Sequence, residues 1–327
     1  MRRALLLWAA VALALPAFAG ASPVVSAFYY PWYGTSARDG AWLHWSQNGH
    51  TPPADIASNY WPAQGPYSSA DPAVLAAQMS EIRAAGIDQI VVSWWGRGSA
   101  EDARLPAVIA AAHRDGLAVA VHVEPYGNRS VASVVSDIAY LRTLGLTTFY
   151  IYEPLDFPAT SWAAANRTLV GVHVYAQTPL AGFAAAGGFE GIYTYDVLVW
   201  SGDKFARICA EAHAAHLLCL PSVGPGFDSQ RATGDTRVKP RRNGVTYDDM
   251  WRAAIAAGAD QITITSFNEW HEGTQIEPAA AHGGYLSYDG AWGLHGTAAQ
   301  SAYLERTAYW SALFRRAVAA RTTVSAH

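Results

Sequence analysis

The chain has 327 residues, of which 51% are hydrophobic and 15% charged, with a formal net charge of −4. That composition supplies an ample apolar core and excludes a disordered chain. No basic stripe stands out among the Lys and Arg residues, so no nucleic acid is expected as a partner.

At the amino end, Arg2 and Arg3 precede an apolar stretch from Ala4 to Leu15. Ala17-Phe18-Ala19 and Ala19-Gly20-Ala21 then offer small-x-small cleavage sites. This pattern reads as an export signal over residues 1–21, too short and too rich in Ala for a membrane span. The expectation is a secreted or periplasmic protein, a single domain over 22–327, and no membrane contact once the signal is removed.

From there the chain alternates β-branched runs with Ala-rich amphipathic stretches, the pattern of βα units and a parallel sheet. Strands are predicted at Val24–Tyr29, Gln89–Trp94, Ala118–Val123, Thr148–Tyr152, Leu169–Val174, Gly191–Tyr195, Leu217–Ser222 and Gln261–Phe267. Helices are predicted at Ala73–Ala85, opened by Asp71-Pro72, and at Asp102–Asp115, Val131–Leu144, Ser161–Asn166, Pro179–Ala186, Lys204–Ala215, Tyr247–Ala257 and within Ala298–Ala320. That count of pairs is the count of an α/β fold, a single (β/α)8 TIM barrel. A doubly wound sheet is the rival, but no Gly-rich phosphate loop follows the first strand. Cys209 and Cys219 fall on a predicted helix and the next strand. They permit one disulfide in an exported protein, and only geometry decides whether it forms.

A barrel places its active site at the carboxyl ends of its strands, and the unusual residues fall there. Tyr29, Tyr30, Trp32 and Tyr33 close strand one, and Trp94 and Trp95 close strand two. His122, Glu124 and Tyr126 close strand three, Tyr152 and Glu153 strand four, and His173 and Tyr175 strand five. Tyr193, Tyr195 and Asp196 close strand six. Ser222 closes strand seven, and Asn268, Glu269, Trp270, His271 and Glu272 close strand eight. Thirteen Trp and 17 Tyr can be mere core, since rings bury large areas; a rim of rings, Glu and His instead suits a sugar.

Glycosidic bonds are usually cut by a pair of carboxyl groups, one protonated and one ionised. Glu269 and Glu272 are three apart, a spacing that puts both on one side of a tight turn. The plain reading makes Glu272 and Glu277 solvated loop charges and His271 a structural hydrogen bonder. At the mouth of a last barrel strand, among aromatics, the catalytic reading of Glu269 and Glu272 prevails. A metal held by Glu269, His271 and Glu272 is disfavoured because neighbouring positions rarely converge on one ion. No Gly-x-Ser-x-Gly elbow supports a serine hydrolase. No metal or cofactor is expected.

Several motifs resemble glycoside hydrolase family 99, the endo-α-1,2-mannosidases and bacterial endo-α-mannanases. They are Phe28-Tyr29-Tyr30-Pro31-Trp32-Tyr33-Gly34, Tyr67-Ser68-Ser69-Ala70-Asp71-Pro72, His122 through Arg129, Gly191 through Tyr195, Pro221 through Gly226, and above all Ser266 through Glu277. The resemblance implies a (β/α)8 barrel and retaining, endo-acting cleavage of a mannose-containing oligosaccharide or polysaccharide. It also implies that the substrate's own 2-hydroxyl is the nucleophile, through a 1,2-anhydro sugar. Glu269 then matches the base for that hydroxyl, and Glu272 the acid that later activates water. Glu124, Tyr30 and Tyr195 match substrate-holding positions, and His122, Tyr126, Trp270 and His271 belong to the same expected substrate-binding set. Which Tyr of the pairs Tyr29/Tyr30 and Tyr193/Tyr195 faces the sugar stays open, since a one-residue shift reverses the face. Ser93-Trp94-Trp95-Gly96-Arg97-Gly98 is similar to the bacterial members, in which a Trp here touches the sugar next to the cleaved mannose. That favours α-mannan over a glucosylated N-glycan. The rivals are a catalytically silent mannan-binding protein and a glycosidase of another linkage on the same fold.

Overall fold

The computed structural model describes residues 24–325; the expected export signal lies outside the described residues. The barrel strands are β1 Val25–Tyr29, β2 Gln89–Trp94, β3 Ala118–Val123, β4 Thr148–Ile151, β5 His173–Gln177 and β6 Gly191–Tyr193. Strand β7 comes in two pieces, Leu218–Leu220 and Ser222–Val223, and β8 is Ile262–Ile264. All neighbours are parallel. The first piece of β7 pairs with β6 and the second with β8, while β8 pairs with β1, so the sheet closes on itself. The break falls at Pro221, which has no N–H to give to a ladder.

The main helices are α1 Pro72–Ala84, α2 Ala100–Arg114, α3 Val131–Thr143, α4 Ala159–Asn166, α5 Ala181–Ala186, α6 Phe205–Ala214, α7 Val245–Ala256 and α8 Ala302–Ser325. Their starts follow the sequence chemistry. The Asp71 carboxylate accepts from Ala73 N at 2.9 Å with Pro72 at the first helical position. Ser130 and Ser133 each accept the other's backbone N–H in a capping box that opens α3. Cys209 on α6 and Cys219 on β7 form a disulfide, with Cα atoms 5.2 Å apart. No helix among the described residues is long and apolar enough to cross a membrane.

Strand parity decides what fills the barrel. Phe28 points inward, its ring 4.7 Å from His122 and 4.9 Å from Tyr195, and Tyr150 lies 5.1 Å from Tyr193. Tyr29 and Trp94 point outward to the helical layer. Tyr29 donates to Gln78 on α1 at 2.6 Å, and Trp94 to Asp102 on α2 at 2.9 Å.

The fifth strand differs from its expected span, Leu169–Val174. Leu169 N and Val170 N bond back to Asn166 and Thr168, Gly171 takes φ 75°, and Val170 is exposed. The β-branched run therefore finishes the α4 turn, and pairing begins only at His173. That residue opens the strand at the far end from the mouth, exposed and 2.7 Å from Glu190. The sixth strand also stops early, at Tyr193, because Tyr195 takes a left-handed φ of 53°.

Candidate active site

Beyond β8 the chain turns sharply at Trp270–Gly273 and carries Glu269 and Glu272 over the mouth. Asn268 ties this loop to the end of β1. Its Oδ1 accepts from Tyr30 N at 2.7 Å, and its Nδ2 donates to Tyr30 O at 3.1 Å. Ser266 Oγ accepts from Glu269 N at 2.8 Å, and Tyr33 Oη accepts from Trp270 N at 3.0 Å. The Glu269 carboxylate is buried, and His271 N donates to its Oε1 at 3.0 Å. Glu272 is partly exposed at the cleft surface.

Both carboxyls are pushed above their ordinary range. For Glu269 the causes are burial, then the charge of Glu272; the backbone amides of His271 and Glu272 and the charge of Glu124 act more weakly, the amides in the opposite sense. Glu272 is pushed up to about 8 by burial and by the charges of Asp196 and Glu124, against a hydrogen bond from Tyr195. Two such neighbours cannot both be charged near neutrality, so the pair keeps at least one proton there.

Tyr30 and Tyr195 are the members of the two Tyr pairs that lie beside the carboxylates. Their hydroxyls hydrogen-bond each other, and Tyr195 Oη lies 3.5 Å from Glu272 Oε2. Burial first, then the charges of Glu124, Glu269 and Glu272, keep Tyr30 protonated far above its usual range. The Tyr195 backbone is held in its left-handed conformation from both sides: its N donates to Ser222 Oγ at 2.7 Å and its O accepts from Thr265 at 2.9 Å. Tyr29 and Tyr193 face elsewhere, to Gln78 and to His122.

Glu124 completes the cluster. Its Oε1 accepts from Ser93 Oγ at 2.8 Å and from His122 Nδ1 at 2.9 Å. His122 Nε2 then accepts from Tyr193 Oη at 2.9 Å, which fixes the tautomer. Trp95 donates to Ser93 Oγ at 3.1 Å and leaves its ring 38% exposed above the cleft. His271 is buried, its Nε2 donating to His44 O at 2.7 Å; burial lowers its pKa to about 4, so the ring is neutral.

Several expected sugar contacts are buried or turned away from the mouth, among them His122, which is 1% exposed and held inside the barrel by Glu124 and Tyr193. Trp94 is fully buried against α2. Trp270 is fully buried, its indole N–H donating to Glu277 Oε2 at 2.7 Å. Tyr126 turns its hydroxyl away to Asp137 and Ser133. Glu277 is no solvated charge: it is 1% exposed and accepts from Tyr67, Gln78 and Trp270. Among the described residues no group of three or more His, Cys, Asp or Glu is placed to hold a metal ion.

The sequence profile of glycosyl hydrolase family 99 matches residues 22–316. The chain belongs to that family. It is a glycoside hydrolase of family 99, and its similarities extend along most of its length. It is 36% identical to a glycoprotein endo-alpha-1,2-mannosidase-like protein of Danio rerio, covering 77% of this chain and 70% of that one. It is 33% identical to the glycoprotein endo-alpha-1,2-mannosidase of Xenopus laevis, over 77% and 69% of the two chains. A solved structure of the family 99 endo-alpha-mannosidase from Bacteroides thetaiotaomicron superposes with a TM-score of 0.80 at 31% identity, covering 90% of this chain and 98% of that one.

Several residues that organise this family 99 site escaped the sequence reading. Ser93 links Trp95 to Glu124 from inside the alternation of β2, where its inward parity was the one available signal. Gln78 and Arg241 lie far from the mouth in sequence, on a helix and on a loop, and nothing local marks them.

Proposed function

We propose that the protein is a retaining, endo-acting α-1,2-mannosidase that works through a 1,2-anhydro sugar. The observation that carries this reading is the turn after β8, which presents Glu269 and Glu272 to one mouth with both carboxyls pushed above their ordinary range. The names of the related proteins supply the linkage and the sugar.

Glu269 takes the proton from the 2-hydroxyl of the bound mannose, O2 attacks C1, and the bond from C1 to the leaving oxygen breaks. Glu272 gives that oxygen its proton. Glu272 next takes a proton from water, the water opens the three-membered ring at C1, and Glu269 returns its proton to O2. Two inversions at C1 give net retention. Burial favours a proton on Glu269, as does His271, whose Nδ1 lone pair lies 3.5 Å from its Oε1. The two backbone amides and a donating 2-hydroxyl favour the anion once sugar is bound. Tyr30, Tyr195 and Glu124 are the polar holding groups. The exposed face of Trp95 is the platform for the neighbouring sugar, which supports an α-mannan over a glucosylated N-glycan.

The test is incubation with α-1,2/α-1,3-mannan and analysis of released oligosaccharides. Glu272→Gln should lose turnover by a factor of about 10² to 10⁴ while still binding mannan; full activity in that variant removes the assignment. The same reading takes residues 1–21 as a cleaved export signal, supported by the bonded cysteine pair, and mass analysis of the mature amino terminus checks it.

A further inference from the structure

The two catalytic carboxylates sit on one turn, yet the turn is held by two unrelated parts of the barrel. The Glu269 half is fastened to the segment after β1, through Asn268 and Tyr33. The Glu272 half is fastened to the long excursion between β7 and α7. There Phe227–Asp228 pairs antiparallel with Val238–Lys239, and Asp228 N donates to the carbonyl of Glu272 itself at 2.7 Å. Gly273 follows at φ 62°, and a Cβ on it would lie 2.7 Å from Asp228 O.

Arg241 closes this second hold. Its Nη2 donates to Gly273 O at 2.9 Å and to Gln275 O at 2.7 Å. The guanidinium lies 4.6 Å from the ring centre of Tyr60, 4.8 Å from that of Tyr288 and 4.6 Å from that of Tyr303. Its Nε and Nη1 are buried and lack a well-formed hydrogen bond, the Tyr303 hydroxyl being a weak partner of the guanidinium, and no carboxylate lies within ion-pair distance among the described residues. A desolvated cation with ring faces and two carbonyls as company is expensive to keep unless its geometry matters. The carbonyls it grips are those of the residues one and three positions beyond Glu272. Both bonds leave the one nitrogen Nη2, whose two N–H groups are fixed in the guanidinium plane, so the two carbonyls are held at a set angle that a freely rotating lysine ammonium does not impose.

We propose that Arg241 is the positioning residue for the catalytic acid, clamping the Gly273 and Gln275 carbonyls so that Glu272 points at the leaving oxygen, while Glu269 keeps its own support. This rests on the assignment of Glu272 as the acid. Its signature is selectivity for leaving groups. Loss of Arg241 harms the step that needs a proton donor and spares the first turnover, before water is activated, of a substrate whose leaving group departs unaided.

The experiment compares wild type, Arg241→Lys, Arg241→Ala and Glu272→Gln on mannan and on a disaccharide fluoride with mannose at the cleaved position, read as fluoride release in the first turnover, before Glu272 must activate water. For Arg241→Ala, kcat on mannan should fall about tenfold to a hundredfold, the scale of a displacement near 1 Å, with KM changed less than about threefold. Fluoride release should stay within about threefold of wild type, and added guanidinium should restore part of the mannan activity. Arg241→Lys should fall between. Equal losses on the two substrates, or a raised KM with kcat intact, overturn the proposal. So does failure of both Arg241 variants to fold, since the clamp is then part of the fold. If Glu272→Gln turns over mannan normally, the acid assignment itself has failed. If Glu272→Gln shows the fluoride selectivity and Arg241→Ala does not, only the positioning role has.

Discussion

Glu277 offers a pH-dependent test of how the site is supported. Its Oε1 accepts from Gln78 Nε2 at 2.7 Å, and its Oε2 from Tyr67 Oη at 2.8 Å and Trp270 Nε1 at 2.7 Å. Burial pushes its titration from the ordinary 4.5 up to about 8; the donors work against this, and the charge of Glu81 adds to it. A carboxyl that holds its proton more tightly folded than unfolded gives full stability below the unfolded value. It then loses that stability as pH rises through the interval, by about 1.4 kcal/mol per pH unit and at most about 5 kcal/mol in all. Glu277→Gln removes the titration while keeping Oε2 for Tyr67 and Trp270. Its new amide nitrogen faces Gln78, which can flip and accept, with Tyr29 taking the freed Gln78 donor. The cost is about 1 kcal/mol. Glu277→Leu strands Tyr67 and Gln78 as buried donors, at roughly 2–6 kcal/mol. Thermal unfolding at pH 5, 6.5 and 8 separates these cases. The Gln variant should melt slightly below wild type at pH 5 and above it at pH 8, with the Leu variant well below both at pH 5. A wild-type-minus-Gln gap that stays constant across that range refutes the argument.

Four further outcomes are expected. Because Glu272 must be protonated to act as acid, kcat/KM should fall as pH rises through about 8. Asp196→Asn, which removes a charge that raises Glu272, should move that limb to lower pH, read from a rate profile between pH 5 and 9. Trp95→Ala should raise KM on mannan by about tenfold with little change in kcat, since the ring is exposed above the cleft and touches Glu124 only through Ser93. Gly273→Ala should lower both stability, by at least about 1 kcal/mol, and turnover, measured together by melting and by oligosaccharide release, because its φ of 62° and the Asp228 carbonyl leave no room for a Cβ.

Much of the architecture was legible because βα alternation is written in local periodicity. Glu269, Glu272, Tyr30, Tyr195, Glu124 and Trp95 could be placed at one mouth from strand endings alone. What could not be read depends on where local rules stop. Tyr30 and Tyr195 lie just past their strands, so parity counted along the strand does not reach them, and Tyr195 adopts a left-handed φ. The run Leu169–Val172 has strand composition but is consumed by a turn that Gly171 makes possible. Trp94 and Trp270 look like sugar platforms by type, yet their indole nitrogens bond to Asp102 and Glu277, partners that only the tertiary structure supplies.

Phe28, His122, Tyr150 and Tyr193 fill the axis of the barrel from wall to wall. A glycan therefore cannot pass along the barrel axis, and the carboxylates on the turn after β8 are open to it only from the face formed by the carboxyl ends of the strands.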